Sequence, residues 1–317
     1  MRSLVIGGAG FVGKYLVRHL LELKHEVIIT KMPMEEARVE GAAVYDLDIL
    51  DKATVTELLE KISPDLVFHL AAQSSVSMSW KNPQQTVDVN VKGSVNVLDG
   101  LRSMKKKARI LLIGSGEEYG QVIPSETPVC ETSPLRPGNI YAATKACQNM
   151  IGRIYAQAYG MNLVMVRAFN HIGPDQSPVF AAADFCRQAA LIESGMQEAV
   201  IRVGNLEAKR DFTDVRDVVH AYVLLAERGQ AGETYNVGSG HAVSIGDVLK
   251  LVLKQSAVEI QVEVDEEKLR PVDVPVMEAD VRKVWRDVGW KAQIQLEQTI
   301  GDMMEYWRSV IGSKGCS

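Results

Sequence analysis

Seven residues near the N-terminus, Gly7-Gly8-Ala9-Gly10-Phe11-Val12-Gly13, constrain this chain more than any other stretch. They follow a short apolar run at 3–6 and precede a stretch at 15–23 whose apolar residues recur at helical spacing. The order is strand, glycine turn, helix. Glycines at 7, 10 and 13 let the backbone turn tightly and approach a pyrophosphate, which then sits at the positive end of a helix. An ordinary glycine turn is the competing reading. The flanking elements favour a dinucleotide loop, with Gly7, Gly10, Phe11, Val12 and Gly13 against the cofactor.

Apolar runs return at 26–30, 65–70, 109–113 and 162–167, separated by stretches of helical period that include 88–101 and 141–159. Strand and helix alternate, which predicts an α/β fold with a Rossmann-type, doubly wound parallel sheet. The 317 residues exceed one typical domain. After Ala168 the alternation breaks into loops, a helix near 181–194 and a strand near 199–203; a helix at 217–227 and a strand at 233–237 then rejoin the sheet. The expectation is a cofactor-binding domain made of 1–168 plus about 214–240, and a smaller, discontinuous substrate lobe made of 169–213 plus about 241–317.

The second strand ends in Thr30-Lys31, where an acidic residue would read a ribose 2′-hydroxyl. Lys31 instead attracts a 2′-phosphate, so NADP(H) is favoured, with NAD(H) as the alternative. Asp48 and Ile49 follow the third strand and are expected at the adenine edge, unless they only form a turn. The tail Leu70-Ala71-Ala72 has the small residues expected where backbone passes close to a cofactor. His69, inside the apolar run, reads as a satisfied core histidine. Ser74, Ser75 and Trp80 either line the sugar side of a pocket or cap the next helix.

Composition closes off other classes. A net charge of -5 and a pI near 5.8 argue against a nucleic-acid surface. No stretch reaches the roughly 18 apolar residues of a membrane span. With no cleavable leader before the first strand, the expected location is the cytoplasm. Cys130, Cys147, Cys186 and Cys316 lack metal-ligand spacing, so no metal is expected.

The chemistry is concentrated in Tyr141-Ala142-Ala143-Thr144-Lys145 and Ser115. Tyr141 and Lys145, four apart on a helix, share a face. A phenol with an ordinary pKa of about 10 transfers protons poorly at neutral pH unless a positive charge favours the phenolate, and Lys145 is placed to supply one. Ser115, at the carboxyl end of a strand, would hold a carbonyl or alcohol in register.

With the glycine loop, Ser115, Tyr141 and Lys145 in this order, the chain resembles the extended short-chain dehydrogenase/reductase family over nearly its whole length. Gly114-Ser115-Gly116-Glu117-Glu118-Tyr119-Gly120 and Phe169-Asn170-His171-Ile172-Gly173-Pro174-Asp175-Gln176-Ser177-Pro178 are similar to motifs of the GDP-4-dehydro-6-deoxy-mannose reductases. The stretch 203–217, containing Asn205-Leu206-Glu207-Ala208-Lys209-Arg210-Asp211, and Leu269-Arg270-Pro271 are shared with those reductases and with the GDP-mannose 4,6-dehydratases.

The resemblance implies a catalytic set of Ser115, Tyr141 and Lys145, with the last two also touching the cofactor. It implies a GDP-linked 4-keto-6-deoxyhexose as partner, met by Asn170, Arg210 and Arg270, with Ser74, Ser115, Glu117, Val179 and Asn205 around it. Paired arginine donors suit a diphosphate. The implied activity is reduction at C4 by NAD(P)H, and the implied assembly a homodimer built on the helices at 88–101 and 141–159. Glu117 stands where the dehydratases carry a base, but they read Thr-Ser-Glu where this chain has Ser115-Gly116-Glu117. A dehydratase is therefore the alternative, and a cofactor-binding protein without catalysis the more distant one.

Overall fold

The structure, a computed structural model, describes residues 1–37, 39–268 and 274–314. The first half runs β1 (Arg2–Ile6), α1 (Phe11–Glu22), β2 (Glu26–Lys31), β3 (Ala42–Asp46), α2 (Lys52–Ile62), β4 (Leu66–His69), α3 (Val76–Lys81) and α4 (Pro83–Val87). A π-helical turn (Asp88–Gly93) leads into α5 (Ser94–Ser103), followed by β5 (Arg109–Ser115), α6 (Ile140–Tyr159) and β6 (Leu163–Ala168). The second half adds β7 (Asn170–Ile172), α7 (Ala181–Glu193), β8 (Val200–Val203), β9 (Lys209–Asp214), α8 (Val215–Arg228) and β10 (Thr234–Val237). It ends with β11 (Ala242–Ser244), α9 (Ile245–Gln255), β12 (Gln261–Val264), β13 (Val276–Met277), α10 (Arg282–Val288) and α11 (Leu296–Lys314).

Seven strands form one sheet in the order β10-β6-β5-β4-β1-β2-β3. All its pairs are parallel. Alternation along each strand divides its side chains between two cores. Val5, Leu111, Ile113, Val164 and Val166 pack under α1 and α8, whereas Leu4, Ile6, Ile110, Leu112, Leu163 and Met165 pack under α2 and α5. Burial on both faces explains why these runs read as continuously apolar. Chain direction across the sheet reverses between β1 and β4, and the carboxyl ends there open the crevice where such sheets bind ligands.

The smaller lobe is built on Phe185, Ala189, Val248, Val252, Ile300, Met303 and Met304, which interlock α7, α9 and α11. Its strands β11, β9, β13 and β7 form one small sheet, and β12 pairs with β8 in another.

Two features differ from expectation. The helix expected at 88–101 begins earlier and contains the π-turn, and a Cβ at Gly93 would lie 2.5 Å from the Ile49 side chain. Residues 282–290, expected in the lobe, contribute Val284, Val288 and Trp290 to the core beneath α8. The Trp290 indole donates to the Asp217 carbonyl at 3.0 Å, and the Asp217 carboxylate accepts from the amides of Gln293 and Ile294. Trp290→Ala should lower the unfolding free energy by about 3–5 kcal/mol in urea titrations. Trp285→Ala, at a 61% exposed position, should change it by under about 0.5 kcal/mol.

Candidate active site

At the carboxyl edge, β1 runs straight into the glycine loop. Gly7 has φ +82°, and a Cβ there would sit 2.8 Å from the Ala71 backbone. The amides of Leu70 and Ala71 both donate to the Ile6 carbonyl, at 3.0 and 2.9 Å, fastening the end of β4 to the loop. A Cβ at Gly13 would meet the Gly8 carbonyl at 2.5 Å. Gly10 caps α1 without a side chain, and no acidic residue stands in the first turn. The first-turn amides of α1 and the absent Cβ atoms fit a pyrophosphate against residues 7–13.

The adenosine side is less open than expected. Lys31 is not free: its Nζ donates to Asp46 at 2.5 Å, because parallel register sets Lys31 opposite Asp46. An acidic side chain thus does stand beside Lys31, brought there by the neighbouring strand. Asp48 Oδ1 accepts from the Leu50 amide at 2.9 Å, and Ile49 is buried with its carbonyl accepting from Asn96, so this stretch forms a turn. His69 Nε2 lies 3.0 Å from Ser94 Oγ, and burial lowers its pKa to about 3, leaving it neutral.

Ser115 ends β5, and its Oγ accepts from the Glu117 amide at 3.2 Å. Tyr141 lies in the first turn of α6, which Asn139 caps through the Ala142 amide at 2.8 Å. One turn on, Thr144 Oγ1 donates to the Tyr141 carbonyl and accepts from Asn90 of the π-turn, whose amide also donates to the Gln73 carbonyl. This chain of bonds locks α6 to the end of β4. Lys145 Nζ donates to the Ile113 carbonyl at 2.8 Å and to Gln148 Oε1 at 2.9 Å.

Burial pushes Tyr141 up to about 12; a hydrogen bond with Ser115 draws it down, and Glu117 and Glu118 push it further up. Burial lowers Lys145 to about 8, against the pull of Glu118. Lys145 is held by Ile113 and Gln148, and for Tyr141 burial outweighs the bond from Ser115.

On the substrate side, Asn170 is exposed on β7 opposite Phe212, two residues along β9 from Arg210. Arg210 is buried and donates to the carbonyls of Lys209 and Val274, at 2.8 and 2.6 Å. Val274 also lines an open cleft of about 440 Å³ with Gln121, Val122, Ile123, Arg136 and Pro275. Arg270 lies outside the described residues. Val179 is 69% exposed, and Asn205 is exposed with Oδ1 accepting from the Glu207 amide. Ser74 is exposed, whereas Ser75 caps α3 through the Met78 amide. Glu117 is half-buried and accepts from Asn139 at 3.4 Å.

A family model described as GDP-mannose 4,6 dehydratase matches residues 4–303. The chain belongs to that family, among the extended short-chain dehydrogenases/reductases. A GDP-6-deoxy-D-mannose reductase of Pseudomonas aeruginosa is 30% identical over 97% of each chain. A GDP-mannose 4,6-dehydratase of Vibrio cholerae is 25% identical over 96% of this chain and 92% of its own. Among solved structures, RMD from Pseudomonas aeruginosa complexed with NADPH superposes with a TM-score of 0.86 at 30% identity, covering 98% of this chain and all of that one. A Thermus thermophilus UDP-glucose 4-epimerase complexed with NAD gives 0.88 at 28% identity, covering 97% and 99%.

Within this family frame, the sequence reading missed three side chains at the site. Gln148 holds Lys145, Glu118 bonds the Ser115 amide at 2.9 Å, and Tyr222 is fully buried, its hydroxyl pushed up by burial and then by Tyr141. Only the spacing of Gln148 from Lys145, one helical turn, was visible in advance.

The buried ammonium has a measurable consequence. Below pH 8 Lys145 is charged in both the folded and the unfolded chain, and burying that charge opposes folding. Between about 8 and its ordinary 10.5 only the unfolded chain holds the proton, so stability rises with pH across that window. Lys145→Met should therefore match or exceed wild-type stability at pH 7 in denaturant titrations. Its advantage should shrink as pH rises above 8, and its turnover should be lost throughout.

Proposed function

We propose that this protein reduces the C4 keto group of GDP-4-dehydro-6-deoxy-D-mannose to GDP-D-rhamnose with NADPH, in nucleotide-sugar biosynthesis. The observation that carries the reading is a buried Tyr141 hydrogen-bonded to Ser115 at the strand edge that also holds the glycine loop. The likeness across the whole chain to a GDP-6-deoxy-D-mannose reductase supports it.

NADPH, when bound, supplies the hydride. Ser115 Oγ accepts from the Glu117 amide, and its proton, turned toward Tyr141, swings to hold the keto oxygen. As negative charge develops on that oxygen, Tyr141 donates its proton and the alcohol is complete. Lys145 places a positive charge beneath the phenol's helix to offset the charge left behind, and orients the cofactor ribose. The loop 7–13 with Leu70, Ala71 and Ala72 holds the pyrophosphate and nicotinamide side, and Lys31 exchanges Asp46 for the 2′-phosphate. Residues 1–168 plus about 214–240 carry the cofactor. The lobe carries the GDP-sugar on Asn170, Arg210 and Arg270, with Ser74, Val179 and Asn205 at its edges.

The dehydratase reading draws on Glu117, whose charge reaches Tyr141. One experiment separates the two. Incubation with the 4-keto sugar and NADPH should oxidise the cofactor and yield a reduced GDP-deoxyhexose, while GDP-mannose without added reductant should stay unchanged. A keto sugar formed from GDP-mannose would make Glu117 a base and overturn the reductase reading. Tyr141→Phe should lose about 10²–10⁴ of turnover while GDP affinity, read by calorimetry, stays unchanged.

A homodimer is part of the same proposal. Met150 and Ile154 on α6 are 57% and 56% exposed, and Val87 is exposed on the neighbouring α4, an apolar surface of the kind a second copy covers. Met150→Glu with Ile154→Glu should give monomers by light scattering where wild type gives dimers.

A further inference from the structure

Glu118 is fully buried, yet none of the chemistry above uses it. It lies on the 3₁₀ turn Gly116–Tyr119, and its chain folds back over β5. One carboxylate oxygen accepts from the Ser115 amide at 2.9 Å and the other from Arg167 Nε at 2.8 Å. The fold-back needs a glycine at 114, where a Cβ would lie 2.3 Å from Glu118 Oε1. Ser115 Oγ caps the same turn, so hydroxyl and carboxylate form a reciprocal box: disturbing either half moves the other.

Arg167 is tied further. It donates to the Tyr119 hydroxyl and the Glu131 carbonyl, stacks over the Tyr119 ring at 4.8 Å, and is joined through Tyr119 to Asn236 of β10. The carboxylate of Glu118 is thus anchored from β6 and β10 while its other oxygen grips the catalytic strand end. Its charge also reaches Lys145 and Tyr141 from below α6.

We propose that Glu118 is a positioning residue, holding the Ser115 hydroxyl in line with Tyr141 and supplying the counter-charge for Lys145. The proposal rests on the reductase reading above. A structural role alone would be to neutralise Arg167, and the two roles separate by experiment.

Burial pushes Glu118 up to about 7 against the pull of Arg167, the Ser115 amide and Lys145. Burial lowers Arg167, but Glu118 and Tyr119 more than offset it and raise it. As pH falls through about 7 the carboxylate is lost, leaving Arg167 unpaired and Lys145 without its counter-charge. Wild-type kcat should decline over that range.

Glu118→Gln should lose about 10²-fold in kcat at pH 8, as small misplacements of catalytic groups do. KM for the keto sugar and the Kd for NADPH, read by fluorescence titration, should hold, and the decline below pH 7 should disappear. Its Tm should fall, because a buried guanidinium loses its partner. Glu118→Leu with Arg167→Met removes both charges and should recover Tm, since apolar replacement of a buried pair is often neutral or stabilising. Its kcat should stay low, because Ser115 still lacks its acceptor. Recovery of kcat along with Tm, or a Glu118→Gln enzyme with wild-type kcat, would overturn the proposal. Wild type failing to reduce the keto sugar in the same assay would instead sink the reductase reading.

Discussion

An ammonium group shut away from water must find its hydrogen bonds inside the protein, and Lys145 finds them at the Ile113 carbonyl and the Gln148 side chain. The first ties α6 to the strand beneath it. Ser115 lies two residues past Ile113 on β5, and Tyr141 one turn before Lys145 on α6. The register that satisfies the lysine therefore also brings phenol and hydroxyl together. Glu118 completes the arrangement: with Lys145 and Arg167 both buried, one carboxylate between them keeps the strand ends from carrying two uncompensated positive charges.

Parallel strands set the stage for this because all their carboxyl ends lie on one edge. The glycine loop, the Leu70–Ala71 tail and Ser115 are neighbours by topology before any side chain is considered. The lobe is fastened to that edge through the turn after β7. Tyr15 of α1 donates to the Pro174 carbonyl, Tyr306 of α11 donates to Asp175, and Phe11 stacks on His171 at 6.3 Å. Lys14 also meets Asp175, though an exposed pair of this kind adds little. The helix that follows the glycine turn and the segment that leads into the lobe thus share one set of contacts across the crevice.

What could be read in advance follows from the range of each signal. The glycine loop and the Tyr141-to-Lys145 spacing are local, and the periodicity around them already implied the doubly wound sheet. Pairings across the sheet were not legible. Nothing in the neighbourhood of Lys31 announces Asp46, which reaches it only through the register of β2 with β3. Glu118 reads as a polar turn residue until Arg167, 49 positions away, is seen to face it. Trp290 looks like part of a C-terminal lobe because its partner, the Asp217 carbonyl, belongs to a helix 73 residues earlier. In each case the deciding contact crosses elements whose relative register no single stretch encodes.

The state of Tyr141 also bears on the direction of the chemistry. A 4,6-dehydratase begins by oxidising C4, so its tyrosine must accept a proton, which calls for the phenolate. Reduction calls for the opposite. Burial together with Glu117 and Glu118 pushes Tyr141 up to about 12, so at neutral pH the phenol keeps its proton. Reduced nicotinamide is uncharged at the ring and adds no positive field to pull that proton off. Glu117 reaches this site through its charge, which adds to burial in raising the phenol.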